Sequence, residues 1–274
     1  MIEALQAFDG GYCRQLLALI DRRSWRIVRF PAVFFALRHK TEGWVLVDTG
    51  YGGSFHEASK HLPHRLYRWA TLPKEDGRTT AALRASGIEA SEIRHVIVTH
   101  FHGDHVGGLA EFPQATVHYH AEALESLQRL PAWRQARHAF LPALVPEWLP
   151  GRVAQIAARA FVQSPDLPFG SYDLFGDESV RLVSLPGHAP GHLGVLFTHG
   201  TRRELYAADA FWRRCQIVDG VRPLGMAMAF QWDPCAYQNT VRLLRDLLQR
   251  GDLRITACHD EGTRASLNGP PAAS

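Results

Sequence analysis

The strongest constraint in this sequence is a cluster of metal-binding side chains at the end of an apolar segment. Residues 93–99 are rich in β-branched side chains and predict a strand, which leads directly into the sequence HFHGDH. In an extended chain, residues two apart point to the same side, so His100 and His102 can share one ion. The turn that follows directs Asp104 and His105 towards a second ion. Packing does not explain this density of donors, which predicts a metal centre.

A tetrahedral ion needs more than two protein ligands, so other parts of the chain must contribute. His188 lies in the Gly/Pro-rich turn PGHAPGH, directly after an apolar strand. Asp209 follows the apolar run LYAA, where a carboxylate is costly unless it is paired or bound to metal. We therefore assign Asp209 as a bridge between two ions, and His259, at the end of another strand, as the last ligand. His192 shares the turn of His188 and is a candidate for orienting a ligand through a hydrogen bond.

Strands and helices alternate along the chain around these motifs. Strands are predicted at residues 25–30, 32–38, 44–47, 93–99, 115–119, 180–184, 193–198, 203–207 and 253–257, and helices at 79–86, 121–130 and 237–250. Two halves of this kind predict an α/β fold, a four-layer αββα sandwich of two mixed sheets with outer helices.

No Gly/Ser-rich or charged linker divides the chain, so we expect a single domain over residues 1–274. Prolines interrupt residues 131–168, which predicts an inserted pair of short helices. This insertion either fills the core or forms a lid over a substrate pocket. Residues 262–274 are small and polar and predict a frayed, flexible tail.

Composition narrows the range of partners. The net charge is only +3, and the Lys and Arg residues are scattered along the chain, which argues against a nucleic-acid partner. Residues 1–11 lack a basic signal region and no apolar stretch approaches spanning length, so we expect a cytoplasmic protein without a membrane partner. The four cysteines show no CxxC pairing and fit a reducing compartment. The oligomeric state stays open, with a homodimer as one option.

Taken together, the HxHxDH run, the GHxxGH turn, the strand-end aspartate and the late histidine resemble the metallo-β-lactamase superfamily over residues 32–261. The segment LVDTG at residues 46–50 resembles that superfamily's early turn beneath the metals. The resemblance implies one ion on His100, His102 and His188, a second ion on Asp104, His105 and His259, and Asp209 between them.

Within the superfamily, these motifs are most similar to the N-acyl homoserine lactone lactonases and to the thioester-hydrolysing, glyoxalase II-like branch. Two positions depart from the lactonase pattern. Trp212 stands where lactonases have a tyrosine, and Gly103 stands where they have a bulky residue.

The implied function is hydrolysis of a lactone, ester or thioester in a small acyl substrate by a hydroxide held between two divalent ions. Zinc is the first expectation for these ions, with iron or manganese as options. Asp104 and Asp209 are the expected catalytic residues, and Asp104 would also pass a proton to the leaving group. Aromatic residues beside the proposed site are the expected substrate contacts, namely Tyr51, Phe101, Phe211 and Trp212.

Three alternatives remain open from the sequence. The same resemblance permits a mononuclear iron oxidoreductase of the persulfide dioxygenase type, although the second-site candidates His105 and His259 argue against it. It also permits a phosphodiesterase of the same superfamily. A binding protein that keeps the site without turnover is the third alternative.

Overall fold

The structure, a computed structural model, describes residues 1–269. Within this range the strands are β1 (Ile2–Leu16), β2 (Ile27–His39), β3 (Gly43–Val47), β4 (Ile93–Ile97), β5 (Thr116–His120), β6 (Val153–Ile156), β7 (Val162–Ser164), β8 (Leu167–Asp173), β9 (Val180–Ser184), β10 (Leu193–His199), β11 (Arg202–Tyr206) and β12 (Arg254–Thr256). The α-helices are α1 (Phe55–Ala58), α2 (His64–Thr71), α3 (Thr79–Ala85), α4 (Gly103–Val106), α5 (Ala121–Gln128), α6 (Ala132–Arg137), α7 (Cys215–Val218), α8 (Gly225–Met228), α9 (Pro234–Arg250) and α10 (Thr263–Asn268).

The strands form two halves that follow chain order. In the first half, β2 pairs antiparallel with β1 and β3, and β3, β4, β5 and β6 are parallel neighbours. In the second half, β7 to β11 pair antiparallel, and β12 joins β11 in parallel. The halves meet where Ile2 of β1 pairs with His199 of β10. Both halves are therefore mixed, as the sequence predicts.

Three apolar clusters separate the layers. The middle cluster joins side chains of both halves, including Phe35 and Ile97 from the first and Phe197 and Tyr206 from the second. A second cluster lies on the other face of the first half, and a third lies between the second half and α9. Because strand side chains alternate between faces, each half has apolar residues on both sides. This arrangement confirms the αββα sandwich.

Four local predictions differ from the structure. The strand β1 was not predicted, although it pairs with β2 along most of its length. Residues 25–30 and 32–38 belong largely to one strand, β2, because Pro31 continues the extended backbone. The insertion at residues 131–168 has one α-helix, α6 near its start, followed by short 3-10 turns and the strands β6 and β7.

The predicted tail begins with a helix instead of a frayed segment. Helix α10 buries Thr263 and Leu267, and the Asn268 side chain exchanges hydrogen bonds with the backbone of Ala7 on β1. Contact with the long first strand, which was itself not predicted, holds this end of the chain in place. Residues 270–274 of the predicted tail lie outside the described residues.

Candidate metal centre

The candidate ligands converge because the strands that precede them end at the same edge of the sandwich. Asp48 follows β3, and His100 comes shortly after β4. From the second half, His188 follows β9, Asp209 follows β11 and His259 follows β12. Each of these five side chains is buried. Residues far apart in the sequence therefore meet at one end of the fold, as the strand-end motifs predict.

Four donors form a first group that fits one cation. His100, His102, His188 and Asp209 each place a ligand atom within 4.8 Å of the others. The Nε2 atom of His188 lies 3.1 Å from Nδ1 of His102 and 3.3 Å from Oδ2 of Asp209. Three imidazoles and a carboxylate are a donor set that accepts divalent transition metals.

A second group shares Asp209 with the first. It comprises His105, Asp209, Cys258 and His259, again with ligand atoms within 4.8 Å of one another. Nε2 of His105 lies 3.4 Å from Oδ1 of Asp209, and Nε2 of His259 lies 3.0 Å from Oδ2. Asp209 thus contacts both groups through its two oxygens. The sequence analysis did not include Cys258, whose thiol donates to the Val33 carbonyl at 3.5 Å.

Buried atoms without partners test whether a cation fits these groups. Nε2 of His100, Nε2 of His105 and Oδ1 of Asp209 are all buried and have no hydrogen-bond partner. Unsatisfied buried polar atoms are rare because each costs about 1–3 kcal/mol. Their convergence on one carboxylate gives a cation the lone pairs it needs. The donor set therefore fits a metal centre.

Hydrogen bonds at Nδ1, the ring nitrogen that faces away from the carboxylate of Asp209, fix the orientation of two imidazoles. Nδ1 of His259 lies 2.7 Å from the Pro31 carbonyl, which can only accept, so this nitrogen carries a proton and Nε2 is the atom that faces Asp209. Nδ1 of His188 lies 2.9 Å from Oε1 of Gln231. Such partners hold metal-binding histidines in the ligating tautomer. Neither Pro31 nor Gln231 carries a sequence signal, because each is brought to the site only by folding.

Asp48 orients His105 from the strand-end turn that the sequence analysis noted. Its Oδ2 lies 2.7 Å from Nδ1 of His105, and its Oδ1 accepts from the backbone N–H of Thr99 at 2.9 Å. Asp48 has a φ of 57°, and Ala208, before Asp209, has a φ of 46°. Non-glycine residues in this region are strained and concentrate at functional sites.

The electrostatics of the two groups differ in the absence of metal. Burial lowers the pKa of His100 and of His102, and neighbouring imidazoles lower both further. Burial also disfavours the charged form of His259, but Asp209 and other neighbours outweigh it and raise its pKa to about 10. Asp209 is likewise buried, yet His259 and His105 hold the pKa of its carboxyl well below the usual range. The second group therefore favours positive charge.

Asp104 and His192 take different positions around these groups. Asp104, a predicted ligand of the second ion, lies outside both donor groups but close to the second, with its Oδ2 3.5 Å from Nε2 of His259. His192 accepts a hydrogen bond at Nε2 from the backbone N–H of Asp209 at 3.2 Å. This contact is of the orienting kind suggested by the sequence.

A cavity of about 550 Å³ opens at the metal groups. Its wall includes His102, Asp104, His188, Asp209 and His259 on one side and mainly apolar residues elsewhere. This size lies in the range of small-molecule sites. The cavity places the candidate ligands in contact with any molecule that enters it.

Two of the four predicted substrate contacts lie on this wall. Tyr51 and Trp212 line the cavity. Phe101 and Phe211 do not, so their prediction is wrong. Phe101 is fully buried against the Tyr119 ring at 5.0 Å, and Phe211 belongs to the cluster beneath α9. Phe101 lies between His100 and His102 in an extended segment and therefore points to the opposite side. Phe211 follows the turn at residues 208–210 and packs in the core.

Residues 133–139 of the insertion also line the cavity, apart from two positions. The backbone N–H of Gly103 donates to the carbonyl of Ala139 at 3.1 Å and holds this segment against the metal-binding turn. A Cβ at Gly103 would lie only 2.7 Å from the Phe55 ring. Glycine at this position therefore allows Phe55 and the segment to approach closely.

Comparison with known families agrees with this geometry. The profile of the metallo-β-lactamase superfamily matches residues 28–259. The chain belongs to this superfamily. The match spans every candidate ligand from His100 to His259.

Two relatives match different shares of this chain. It is 34% identical over 183 residues to a Mycobacterium bovis protein named a probable metallo-hydrolase, covering 63% of this chain and 54% of that protein. The chain thus spans about half the length of that relative. It is 28% identical over 255 residues to the N-acyl homoserine lactonase AttM of Agrobacterium fabrum, covering 88% of this chain and 86% of the lactonase.

A solved structure shows the same fold. An N-acyl homoserine lactone hydrolase with the product N-hexanoyl-L-homoserine bound at its catalytic metal centre superimposes with a TM-score of 0.70. The match covers 97% of this chain and 96% of the hydrolase at 21% identity. At this identity the similarity establishes the fold, in agreement with the αββα architecture.

Proposed function

We propose that this protein is a hydrolase that uses two divalent metal ions to cleave a lactone, ester or thioester bond in an acyl substrate. One observation carries the proposal. Asp209 belongs to both histidine groups, and each group contains a buried Nε2 atom without a hydrogen-bond partner, that of His100 in the first and that of His105 in the second. The similarity to a named lactonase supports the same chemistry. Zinc is the first candidate for both ions because the donors are mainly imidazoles.

Divalent ions bound by these groups would lower the pKa of water towards neutrality and polarise a carbonyl oxygen. His100, His102 and His188 would hold one ion, and His105 and His259 the other. Asp209 would bridge them. The hydrogen bonds to Asp48, Pro31 and Gln231 would keep the imidazoles in place during turnover.

Asp104 is the proposed acid and base of the reaction. It lines the cavity beside His259, where a carboxyl group can reach a bound substrate. General acid–base catalysis requires hydrogen-bond reach to the transferred proton. Asp104 would accept a proton from the water that attacks the acyl carbon and pass it to the leaving oxygen or sulfur when the acyl bond breaks. Tyr51 and Trp212 would position the substrate from the cavity wall.

The apolar wall of the cavity favours an acyl compound over a highly charged substrate. Leu19, Ile20, Phe30 and Leu66 line it together with Met226. Burial of a hydrocarbon chain against such a surface contributes about 25 cal/mol per Å². Apart from the proposed metal ions, a phosphodiester would meet one Arg or Lys side chain in the wall, Arg137. The substrate is therefore proposed to carry an apolar acyl chain.

Metal analysis and a substrate panel test the proposal. Purified protein should contain about two divalent ions per chain and turn over lactones, aryl esters or thioesters. Replacing His102 or Asp209 by Ala should remove both bound metal and activity, whereas His199→Ala, distant from the site at the end of β10, should change neither. Turnover without bound metal would contradict the proposal. One iron per chain with oxygen uptake in the presence of a persulfide would favour the oxidoreductase alternative instead.

A further inference from the structure

Four segments frame the mouth of the cavity. They are defined by the first and last cavity-lining residues in each stretch, at 13–30, 66–71, 133–139 and 226–230, and are called the mouth segments below. Hydrogen bonds connect them. Gln15 donates to the Ala70 carbonyl at 3.1 Å, and Arg137 donates to the Ala229 carbonyl at 2.9 Å. The mouth segments are therefore neighbours in space although they are remote in sequence.

Large apolar side chains are concentrated on these segments. Of the thirteen exposed large apolar side chains in residues 1–269, seven lie on the mouth segments, which comprise 36 residues. Four of the seven also line the cavity: Leu66, Trp133, Met226 and Phe230 are between 51% and 65% exposed. The cavity thus opens onto an apolar rim. Rims of this kind mark surfaces that contact another molecule or a membrane.

The mouth segments are also strongly cationic. They contain eight Arg residues and one acidic residue, Asp21, for a net charge of +7, whereas the whole chain carries +3. The rest of the chain is therefore net acidic, with 22 basic and 26 acidic residues. The positive charge of this protein is not spread evenly but collects around the mouth.

Two tryptophan rings on this rim each lie beside an arginine guanidinium. The guanidinium of Arg65, next to the second segment, lies 4.6 Å from the Trp69 ring, and that of Arg134 lies 5.2 Å from the Trp133 ring. Amphipathic rings beside cationic groups are typical of proteins that lie at a membrane interface, where the ring enters the acyl boundary and the cation meets the headgroups. Cationic residues near such a surface are attracted by anionic lipids.

From these observations we infer that the mouth segments form a docking surface for an anionic phospholipid bilayer. The apolar rim enters the headgroup region, the arginines contact lipid phosphates, and the cavity faces the membrane. An apolar substrate can then pass from the bilayer to the site without crossing water. No helix of the described chain has the length and apolar character to span a bilayer. The inferred contact is therefore with the membrane surface.

This inference departs from the expectation of no membrane partner. That expectation rested on continuous apolar stretches in the sequence. The rim is instead assembled from four separate segments, of which only residues 226–230 are apolar throughout, and five residues are far too few to span a bilayer. A sequence window therefore averages the apolar side chains with their polar neighbours.

Vesicle binding tests the docking surface without any substrate, so its failure would leave the proposed hydrolysis intact. The full-length protein is sedimented with liposomes of phosphatidylcholine alone or with 30% phosphatidylglycerol, at about 0.1 M and 1 M NaCl. We expect binding to the anionic vesicles at low salt, and loss of most of it at high salt because screening weakens headgroup contacts.

Matched variants localise the surface. The triple variant Arg22→Glu, Arg26→Glu and Arg134→Glu should bind anionic vesicles at least tenfold more weakly. The control triple Arg94→Glu, Arg152→Glu and Arg159→Glu changes the net charge equally at exposed positions elsewhere and should bind like the wild type. Trp69→Ser with Trp133→Ser should also weaken binding, and Val162→Ser should not.

Three results would overturn the inference. They are absence of wild-type binding to anionic vesicles at low salt, equal binding to both lipid compositions, and equal losses in the two charge-reversed triples. A concentration-dependent dimer that protects Trp133 from a quencher, without vesicle binding, would assign the rim to a second copy of the chain instead. Circular dichroism of each variant ensures that the comparison is made between folded proteins.

Discussion

Two clusters of buried histidines lie in this sandwich, and they differ in what their nitrogens contact. At the cavity, Nε2 atoms of His100 and His105 have no hydrogen-bond partner and face a shared carboxylate. In the second cluster, on β4 and β5, Nδ1 of His95 lies 3.0 Å from Nε2 of His118, and Nε2 of His95 lies 3.7 Å from Glu42. These nitrogens of the second cluster thus have partners within the protein. The first is complete only with a cation.

This difference shows that histidine density alone does not identify a metal site. Both clusters are largely buried, and in both the histidines are brought together by neighbouring strands, on which they lie in the second cluster and which they follow in the first. What separates them is the presence of buried lone pairs without a protein partner, together with a carboxylate that several imidazoles share. This distinction predicts large effects from changes at the first cluster and small ones from changes at the second.

Removing the shared carboxylate should abolish the metal centre. Asp209→Ala takes one donor from both groups, so we expect loss of most bound metal and at least a roughly thousandfold fall in turnover. Metal content by mass spectrometry and steady-state kinetics measure this. Asp177→Ala is the matched control, since Asp177 pairs with His39 at 2.9 Å away from the cavity. Full metal content in Asp209→Ala would refute the bridging role.

Loosening the orientation of His105 should weaken metal binding without removing a ligand. Asp48→Asn exchanges the charged acceptor for an amide, and loss of such partners typically costs about 10–100-fold in metal affinity. Competition with a chelating dye would report the two binding constants separately. We expect the constant of the group that contains His105 to be affected more than the other if the groups fill independently. If both binding constants are unchanged, Asp48 stabilises the turn but does not support metal binding by His105.

Metal affinity should rise with pH because the second group holds a proton when metal is absent. The pKa of His259 is raised to about 10 even though burial lowers it, since Asp209 and other neighbours outweigh burial. Below that pH a metal ion must displace this proton. Burial lowers the pKa of His105 too, but Asp48 and other neighbours raise it well above its usual value, so affinity should increase at least about tenfold per pH unit between 7 and 9. Calorimetry in buffers of different ionisation enthalpy would count the released proton. Affinity independent of pH would argue against a protonated His259.

The self-paired cluster should affect stability alone, and by the smallest amount. Burial, and then His95, lowers the pKa of His118 to about 4. The unfolded chain therefore binds a proton below pH 6.5 that the folded chain does not, and stability falls as pH decreases from 6.5 towards 4, by at most about 1.4 kcal/mol per pH unit.

His118→Asn should make that decline shallower and leave metal content unchanged. Loss of the bond to His95 should cost about 1 kcal/mol at neutral pH. Urea unfolding at several pH values would measure both effects. If the unfolding free energies of wild type and variant fall in parallel with pH, another group governs the acid sensitivity. Loss of metal from His118→Asn would contradict the distinction between the clusters.

Residue types and local spacing are enough to identify the side chains that can bind metal and the ends of the strands that precede them. HFHGDH, the turn at His188 and the strand-end residues Asp209 and His259 are local features, and their residue types are enough to predict the centre. The β-rich periodicity around them likewise predicts the sandwich, because the alternation of apolar side chains is a property of each strand alone.

Tertiary structure decided everything that depends on which distant groups meet. Gln231 and Pro31 orient histidines, and Cys258 enters the second group, only because separate strands and loops pack together. Phe101 and Phe211 lie beside ligands in sequence but turn into the core. No local sequence pattern predicts strand β1 or the cationic mouth either. The free energy of these contacts is gained only on folding, when residues remote in the chain exclude water together.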